Sequence, residues 1–457
     1  MKLAVLGGGG FRVPFVHQAL VQGGASLHVD EVVLQDTDAD RLTAMVQVLD
    51  QLSAGSARRP RLCATTVLDD ALAGADFVFA AIRVGGVCAR VQDERVALEL
   101  GVLGQETTGP GGLAYALRTI PVMVGMARRI AELAPRAYVL NFTNPAGMIT
   151  EAMQSVLGDR VLGICDTPSD LGRRLARAVG VGATRLQLDY VGLNHLGWMR
   201  RVLHDGEDVL PALLADDARL ASVEEAEVFG APWLRTLGAV PNEYLYYYYR
   251  NREAVQNILA SPSTRGEFLA GQQTELFRRM LAEPGRAAAL WRGAVSERGA
   301  SYMAEARGGS AGAPVGAPVE DAPLDGQDLA EQGYAGVALR VMEAITEDRR
   351  ATMILNVRNG TTLPGLPEDA VVEVPATVDA NGVHPLATPA PDLHQLGLMQ
   401  QVKAVERATI RAALSGSREQ AVLAFGMHPL VRSLDVADRL VQGYAERIPE
   451  VAAVLRP

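Results

Sequence analysis

The sequence predicts an α/β fold, a doubly wound parallel sheet followed by a mixed α+β domain. Three observations predict it. Short apolar runs alternate with helical stretches up to about residue 165. Four consecutive glycines, residues 7–10, stand between the first such run and the first helix. After residue 193 the alternation gives way to longer helical stretches with isolated strand-like runs. Apolar strands alternating with helices mean a parallel sheet covered on both faces.

Residues 2–6 form the first strand and residues 11–22 the first helix. Residues 31–35, 61–66 and 76–82 follow as strands, the last as continuously apolar as a buried central strand. Residues 137–141 and 160–165 repeat the pattern, each separated from the next by a helix. In the second half, residues 202–237 and 265–292 read as helical, residues 352–356 and 371–374 as strands, and residues 396–414 and 418–447 as late helices. Residues 308–325 are rich in Gly, Ala and Pro and read as a surface loop. At 457 residues the chain is too long for one typical core, so two packed domains are expected, residues 1–193 and 194–457.

Hydrophobic residues make up 48% and charged residues 21% of the chain, the composition of an ordered globular protein. The net charge of -10 lacks the basic footprint of a nucleic-acid binder. An anionic ligand would have to be held by a few local arginines and backbone N–H groups. The three cysteines, Cys63, Cys88 and Cys165, are too few for a disulfide framework and fit a reducing cytoplasm. No apolar run is long enough for a signal peptide or a membrane span, so no membrane partner is expected.

The glycine run suits a dinucleotide. Gly7, Gly9 and Gly10 let the backbone turn tightly and approach a pyrophosphate, and Phe11 and Arg12 open the helix whose N-terminus favours that charge. The third glycine of the usual fingerprint is replaced by Arg12. Asp36 ends the second strand, where an acid accepts hydrogen bonds from an adenosine ribose and favours NAD over NADP. These features describe a Rossmann-like unit. The bland alternative is a ligand-free turn, with Asp36 or Thr37 capping the next helix.

Cys165 ends a strand, where doubly wound sheets place their ligand crevice, and His195 follows another strand-like run. A thiolate and an imidazole form half of a metal site, with the remaining positions open. A lone Cys and a lone His are more often core residues, and spacing alone does not decide between the two readings. Arg83 lies at a strand end, Arg90 on the next helix, and Arg265 after a Ser-Thr pair. Each can fork onto an anion, although a surface ion pair is the commoner fate of a single arginine.

Five segments occur in order: Gly104-Gln105-Glu106-Thr107-Thr108-Gly109-Pro110-Gly111-Gly112, Asn141-Phe142-Thr143-Asn144-Pro145, Ile164-Cys165-Asp166-Thr167-Pro168, Gly192-Leu193-Asn194-His195-Leu196-Gly197-Trp198 and Pro241-Asn242-Glu243-Tyr244-Leu245. Together they closely resemble glycoside hydrolase family 4, in its phospho-glycosidase branch. That family departs from the two-carboxylate scheme of glycoside hydrolysis. The resemblance implies hydrolysis of a 6-phospho-glucoside by NAD-dependent oxidation at C3, deprotonation at C2, elimination, water addition and re-reduction. A divalent metal, usually manganese, polarises the ketone.

Carried over residue by residue, the resemblance implies Cys165 and His195 as metal ligands, Tyr244 as the C2 base and Asp166 as the general acid. Arg90 and Arg265 fall at positions that hold the phosphate region, and Asn144 at a sugar contact. Glu106, in the most distinctive of the five segments, is a candidate to bind either a sugar hydroxyl or a metal-bound water. A phenol with an ordinary pKa near 10 needs help to act as a base. The run Tyr246–Tyr249 also reads as an aromatic wall. Asp166 follows the α-glucosidase pattern, whereas Thr107-Thr108 and the tyrosine run resemble the β branch, which is the preferred expectation. The expected substrate is a small phosphorylated disaccharide or aryl glucoside. Residues 1–193 are expected to bind NAD, and residues 194–457 to complete the substrate and metal site and to form a homo-oligomer. The rival readings are a 2-hydroxy-acid dehydrogenase, which would release NADH, and a catalytically silent sugar-phosphate sensor.

Overall fold

The computed structural model describes residues 1–22, 27–56, 58–300, 303 and 333–455. The loop expected at 308–325 lies outside the described residues. The strands are β1 (Lys2–Leu6), β2 (Glu31–Gln35), β3 (Arg61–Thr65), β4 (Phe77–Ala80), β5 (Tyr138–Asn141), β6 (Val161–Gly163), β7 (Leu186–Leu193), β8 (Leu196–His204), β9 (Glu207–Asp208), β10 (Val240–Pro241), β11 (Ala351–Arg358), β12 (Val371–Asp379) and β13 (Gly382–Pro385). They form one sheet in the order β10-β8-β7-β12-β11-β6-β5-β4-β1-β2-β3, with β13 beside β12 and β9 beside β8.

The six strands β3-β2-β1-β4-β5-β6 are all parallel. This is the doubly wound Rossmann order, with its switch point between β1 and β4. Their apolar runs are continuous because both faces are covered. Leu3, Val5 and Phe79 enter one core, while Ala4, Leu6, Val78 and Ala80 enter the other. Register then sets the rim. Leu6 pairs with Gln35 and Ala80, and Asn141 pairs with Ala80 and Gly163. The glycine loop, Asp36, Arg83, Asn144 and Cys165 therefore all leave the sheet at its carboxyl edge.

The second half extends the same sheet with antiparallel strands. β11 meets β6 at Asn356 and Gly163, and β12 meets β7 at Glu373 and Gly192. β7 and β8 form a hairpin whose turn carries Asn194 and His195. Residues 193 and 194 thus lie at the end of a strand and in a tight turn. The helices Leu393–Ser415, Arg418–Met427 and Leu434–Arg447 contribute Val405, Phe425 and Tyr444 to the same buried core as Leu117 and Ile120 of the long helix Pro110–Leu133.

Three helical expectations are corrected. Residues 202–237 begin as the end of β8 and continue as four short helices, Leu210–Ala215, Asp217–Leu220, Glu224–Phe229 and Ala231–Leu237. A left-handed pair, Asp205 (φ 49°) and Gly206 (φ 89°), turns β8 into β9, Asp216 caps a new start, and Gly230 and Gly238 end the last two helices. Residues 265–292 divide at Pro284 into Arg265–Ala282 and Ala287–Ala300. Residues 418–447 divide around Pro429, whose ring disfavours helix at His428, and Ser433 caps the restart. The first helix starts at Val13 rather than at residue 11, and β6 ends at Gly163 rather than at Cys165.

Candidate active site

A cleft of about 1900 Å³ runs along the carboxyl edge of the parallel strands. Gly7, Gly10, Phe11, Arg12 and Asp36 line it, and so do Arg83, Arg90, Glu106, Asn144, Cys165, Asp166, His195, Tyr244 and Arg265. Gly9, Thr108, Tyr246, Tyr248 and Tyr249, also singled out in the sequence, do not line it.

The glycine loop is pressed onto the sheet. Gly7 has φ 85°, and a Cβ there would stand 2.5 Å from the Ala81 carbonyl oxygen. Only glycine fits both constraints. Gly9 N–H donates to the Asp36 carboxylate at 3.0 Å, so the acid is tied to the loop it is expected to serve. The next helix is capped by Asp38, which accepts from the Asp40 and Arg41 amides at 3.0 Å, not by Asp36 or Thr37. Phe11 is braced from the second half: Trp291 Nε1–H donates to its carbonyl at 2.9 Å, and the Arg298 guanidinium lies 3.3 Å from its ring centre. A tight loop, a helix N-terminus and an acid at the end of β2 together fit a dinucleotide.

Arg12 points away from this cradle. Its guanidinium lies over Phe142 and Tyr334 and stands 3.6 Å from Asp166.

Beyond β4, the backbone that carries Arg83 is held on three sides. Ile82 N–H donates to Thr143 Oγ1 at 3.0 Å, Tyr115 O–H donates to the Ile82 carbonyl at 3.0 Å, and Arg118 Nε–H donates to the Val84 carbonyl at 3.0 Å. Arg83 ion-pairs with Glu106, and Arg90 contacts Glu106 at 2.8 Å and Glu94 at 3.1 Å. Burial opposes the Glu106 charge, but the two arginines overcome it and lower its pKa to about 2. Glu106 is therefore a fixed carboxylate.

Glu94 in turn accepts from Gly266 N–H at 2.7 Å, which sets the start of the helix Arg265–Ala282 against the Arg90 helix. Arg265 reaches the Arg298 carbonyl at 3.0 Å. Arg298 itself was not visible as a candidate, because a lone arginine late in a helix carries no motif. Burial, and then repulsion from Arg12, Arg265 and Arg90, lower its pKa to about 9.

Cys165 and His195 are both buried beside the cleft. Burial, and then the charges of Glu373 and Asp166, push the Cys165 thiol well above its ordinary value. Burial lowers His195 to about 4, so its ring is neutral near pH 7. The residue sits at φ 62°, a left-handed conformation that is rare outside glycine, and its Nδ1 lies 3.1 Å from Thr107 Oγ1. Its ring stacks on Tyr244 at 3.8 Å. Among the described residues no group of three His, Cys, Asp or Glu side chains is arranged to hold a metal. A soft thiol and a neutral imidazole on an open cleft still fit a transition metal whose other positions go to substrate and water.

The tyrosine run divides. Tyr244 and Tyr247 line the cleft, Tyr246 and Tyr247 are buried in the core, and the Tyr249 hydroxyl oxygen accepts from Trp198 Nε1–H at 2.8 Å. The sequence reading missed Glu373. It is fully buried and accepts from Tyr190 at 3.0 Å, Asn356 at 2.9 Å and Asn194 at 3.5 Å. Burial lifts its pKa to about 7 against those hydrogen bonds. It anchors the hairpin turn that carries His195. An acid inside the apolar run Val371–Val374 was the signal for it. Asn144 and Asn194 both face the Ala146 amide, at 3.3 and 3.0 Å.

Comparison with known proteins adds a family to this geometry. Residues 2–181 match the model for the family 4 glycosyl hydrolase, and residues 190–431 match that for the family 4 glycosyl hydrolase C-terminal domain. The chain is 30% identical to the "Probable 6-phospho-beta-glucosidase" of Bacillus subtilis (strain 168), over 98% of each protein. The 6-phospho-beta glucosidase of Thermotoga maritima, solved with NAD and glucose-6-phosphate, is similar with a TM-score of 0.81 and 27% identity, covering 98% of this chain and 99% of that one. A 6-phospho-alpha-glucosidase from gut microorganisms, solved with NAD and Mn2+, is similar with a TM-score of 0.78 and 25% identity over 97% of each chain. Two family models that together span nearly the whole described sheet, and a full-length relative at 30% identity, agree: the chain belongs to family 4 of the glycosyl hydrolases.

Proposed function

We propose that this glycosidase hydrolyses 6-phospho-β-glucosides, with NAD and a divalent metal, manganese by preference, as cofactors. One observation carries the reading: a single cleft holds the glycine loop, the set Cys165, His195 and Tyr244, and a crowd of arginines. The solved relatives, bound to NAD with Mn2+ or glucose-6-phosphate, support it. Family membership removes the hydroxy-acid dehydrogenase reading.

When bound, NAD supplies a hydride acceptor for the sugar's C3, and the metal supplies Lewis acidity toward the sugar oxygens. Residues 7–11 would cradle the dinucleotide and Asp36 would take its ribose, while the Arg12 guanidinium is turned toward Asp166. Cys165, deprotonated by the metal's charge, and His195 would hold the metal. Tyr244, once deprotonated to the phenolate, takes the proton from C2 and becomes the phenol. Asp166 protonates the departing glycosidic oxygen. Glu106, held ionised by Arg83 and Arg90, accepts a hydrogen bond from a sugar hydroxyl, and Asn144 contacts another. Arg90 and Arg265, with Arg298 beside them, hold the phosphate, whose charge relieves the repulsion among the guanidinium groups. Residues 1–193 carry the NAD site, and residues 194–457 complete the sugar and metal site and the contacts of a homo-oligomer. Three free cysteines suit the cytoplasm.

The second reading is the α anomer, and Asp166 favours it, because a carboxyl group rather than an amide stands beside Cys165. Thr107-Thr108 and the tyrosine run favour β. The test is release of the leaving group from an aryl 6-phospho-β-glucoside and its α anomer, with NAD and Mn2+ each present or omitted. Turnover of the β anomer that needs both additions and yields no net NADH is expected. Preference for the α anomer replaces the first reading with the second, and no turnover of either removes both.

A further inference from the structure

We infer that Gln105 and Thr107 form a tautomer lock on His195, holding its proton on Nδ1 and leaving Nε2 as the nitrogen with a free lone pair. The inference rests on the reading of His195 as a metal ligand and adds what makes it competent for that role.

The argument is one of donors and acceptors. The backbone N–H groups of Thr107 and Thr108 point at Gln105 Oε1, at 2.7 and 2.6 Å. Two N–H donors fix that atom as the amide oxygen, since the amide nitrogen would meet them donor to donor. The Thr107 hydroxyl lies 3.1 Å from the same oxygen. An amide oxygen cannot donate, so the hydrogen bond between these two oxygens takes the single hydroxyl proton as a third donor to Gln105. The Thr107 oxygen also lies 3.1 Å from His195 Nδ1. That contact is a hydrogen bond only if the nitrogen donates. A neutral imidazole carries one N–H, so Nε2 has none.

The rest of the ring's freedom is removed independently. The left-handed turn at φ 62° sets where the side chain leaves the backbone, and the stack with Tyr244, 5° from parallel, sets the ring plane. Glu106, between Gln105 and Thr107 in sequence, turns the other way onto Arg83 and Arg90. One short loop therefore fixes both a carboxylate and the histidine proton. A metal-binding histidine needs its other N–H held in this way, and loss of such a partner costs about 10- to 100-fold in metal affinity. Gln105 and Thr107 are positioning residues, acting through His195.

The experiment uses full-length, metal-free protein labelled with 15N-histidine. Long-range 1H–15N correlation separates N–H from lone-pair nitrogens, and loss of a signal set in H195Q assigns His195. The expected wild-type result is N–H at Nδ1 and a lone pair at Nε2. T107V should lose that preference and bind Mn2+ about 10- to 100-fold more weakly by electron paramagnetic resonance titration, while T107S restores both and NAD affinity stays within about twofold in each variant. A wild-type Nε2–H tautomer overturns the lock without recourse to any variant. So does T107V with unchanged tautomer and Mn2+ affinity. Mn2+ affinity untouched in H195Q, with the Nδ1–H tautomer present, removes instead the metal role of His195 on which the inference rests.

Discussion

The ring of Tyr244 lies 3.8 Å from the ring of His195 and 5° from parallel to it. Stacking of this kind adds roughly 0.5–1.5 kcal/mol beyond the area it buries. Here it also joins two assignments that the sequence kept far apart, a metal ligand in a hairpin turn and a base in a short helical turn. Asn242 fixes the second turn, accepting from the Tyr244 amide at 2.9 Å and donating to the Tyr190 hydroxyl at 3.2 Å. Tyr190 donates to Glu373, so one buried chain of hydrogen bonds supports both rings.

Removing only the phenolic oxygen should separate chemistry from packing. Y244F keeps the stack and loses the base. It should lower kcat by about 10²- to 10⁴-fold, leave NAD and Mn2+ affinity unchanged, and stop deuterium from solvent entering C2 of the product. Y244A should also weaken Mn2+ binding, because His195 loses its neighbour. A Y244F enzyme within tenfold of wild type would rule out the base assignment.

Arg298 yields a prediction in which the ligand's charge is the variable. Burial and the neighbouring Arg12, Arg265 and Arg90 make its positive charge costly to hold, and a guanidinium keeps that charge across the ordinary pH range. A bound phosphate offsets the crowding, so R298M should raise KM for the phosphorylated substrate by about 10- to 100-fold, the loss of one charge-assisted hydrogen bond of roughly 1.5–3 kcal/mol. Affinity for glucose without the phosphate should stay the same in the two proteins. Binding isotherms with glucose-6-phosphate and with glucose check it. Unchanged affinity of R298M for glucose-6-phosphate would place the phosphate elsewhere.

Much of this site was legible in the sequence because the fold gathers strand ends. The glycine loop, Asp36, Arg83, Asn144 and Cys165 follow successive strands of a parallel sheet, and register alone brings them to one edge. Arg298 and Glu373 were not legible for the opposite reason. Each reaches the site from far along the chain, Arg298 from the helix Ala287–Ala300 and Glu373 through a single pairing with Gly192. Residues 202–237 misled because their leucines suit either period, and the antiparallel partner that makes Leu196–His204 a strand is a tertiary fact.

Stability should decline on mild acidification. Burial pushes His17 and His195 down to about 4 and His428 down to about 3, all from an ordinary value of 6.5. As pH falls below 6.5, the unfolded chain takes up protons that the folded chain refuses. The stabilisation is thus complete above pH 6.5 and is lost as pH falls toward 4. His17 tests this away from the site, since neither of its ring nitrogens has a hydrogen-bond partner among the described residues. Between pH 7.5 and 5 the wild type should lose roughly 2 kcal/mol more than H17L in denaturant unfolding. Parallel losses in the two proteins would contradict the buried neutral state of His17.

Asp166 carries the last prediction, because its role can be tested without first knowing the preferred anomer. Its carboxylate stands 3.6 Å from Arg12 and 3.9 Å from the Cys165 sulfur. A carboxyl group can pass a proton to a departing oxygen, and the amide of asparagine cannot. The loss in D166N should therefore depend on the leaving group. A sugar or alkyl aglycone leaves as a strongly basic oxygen and needs that proton, so kcat should fall by about 10²-fold or more. A nitrophenol leaves as a stable anion, so its release should stay close to wild type. A Coulombic role alone, through Arg12 or the metal, would slow both substrates by the same factor. Equal losses would therefore assign Asp166 to holding charge rather than to moving a proton, whichever anomer the enzyme prefers.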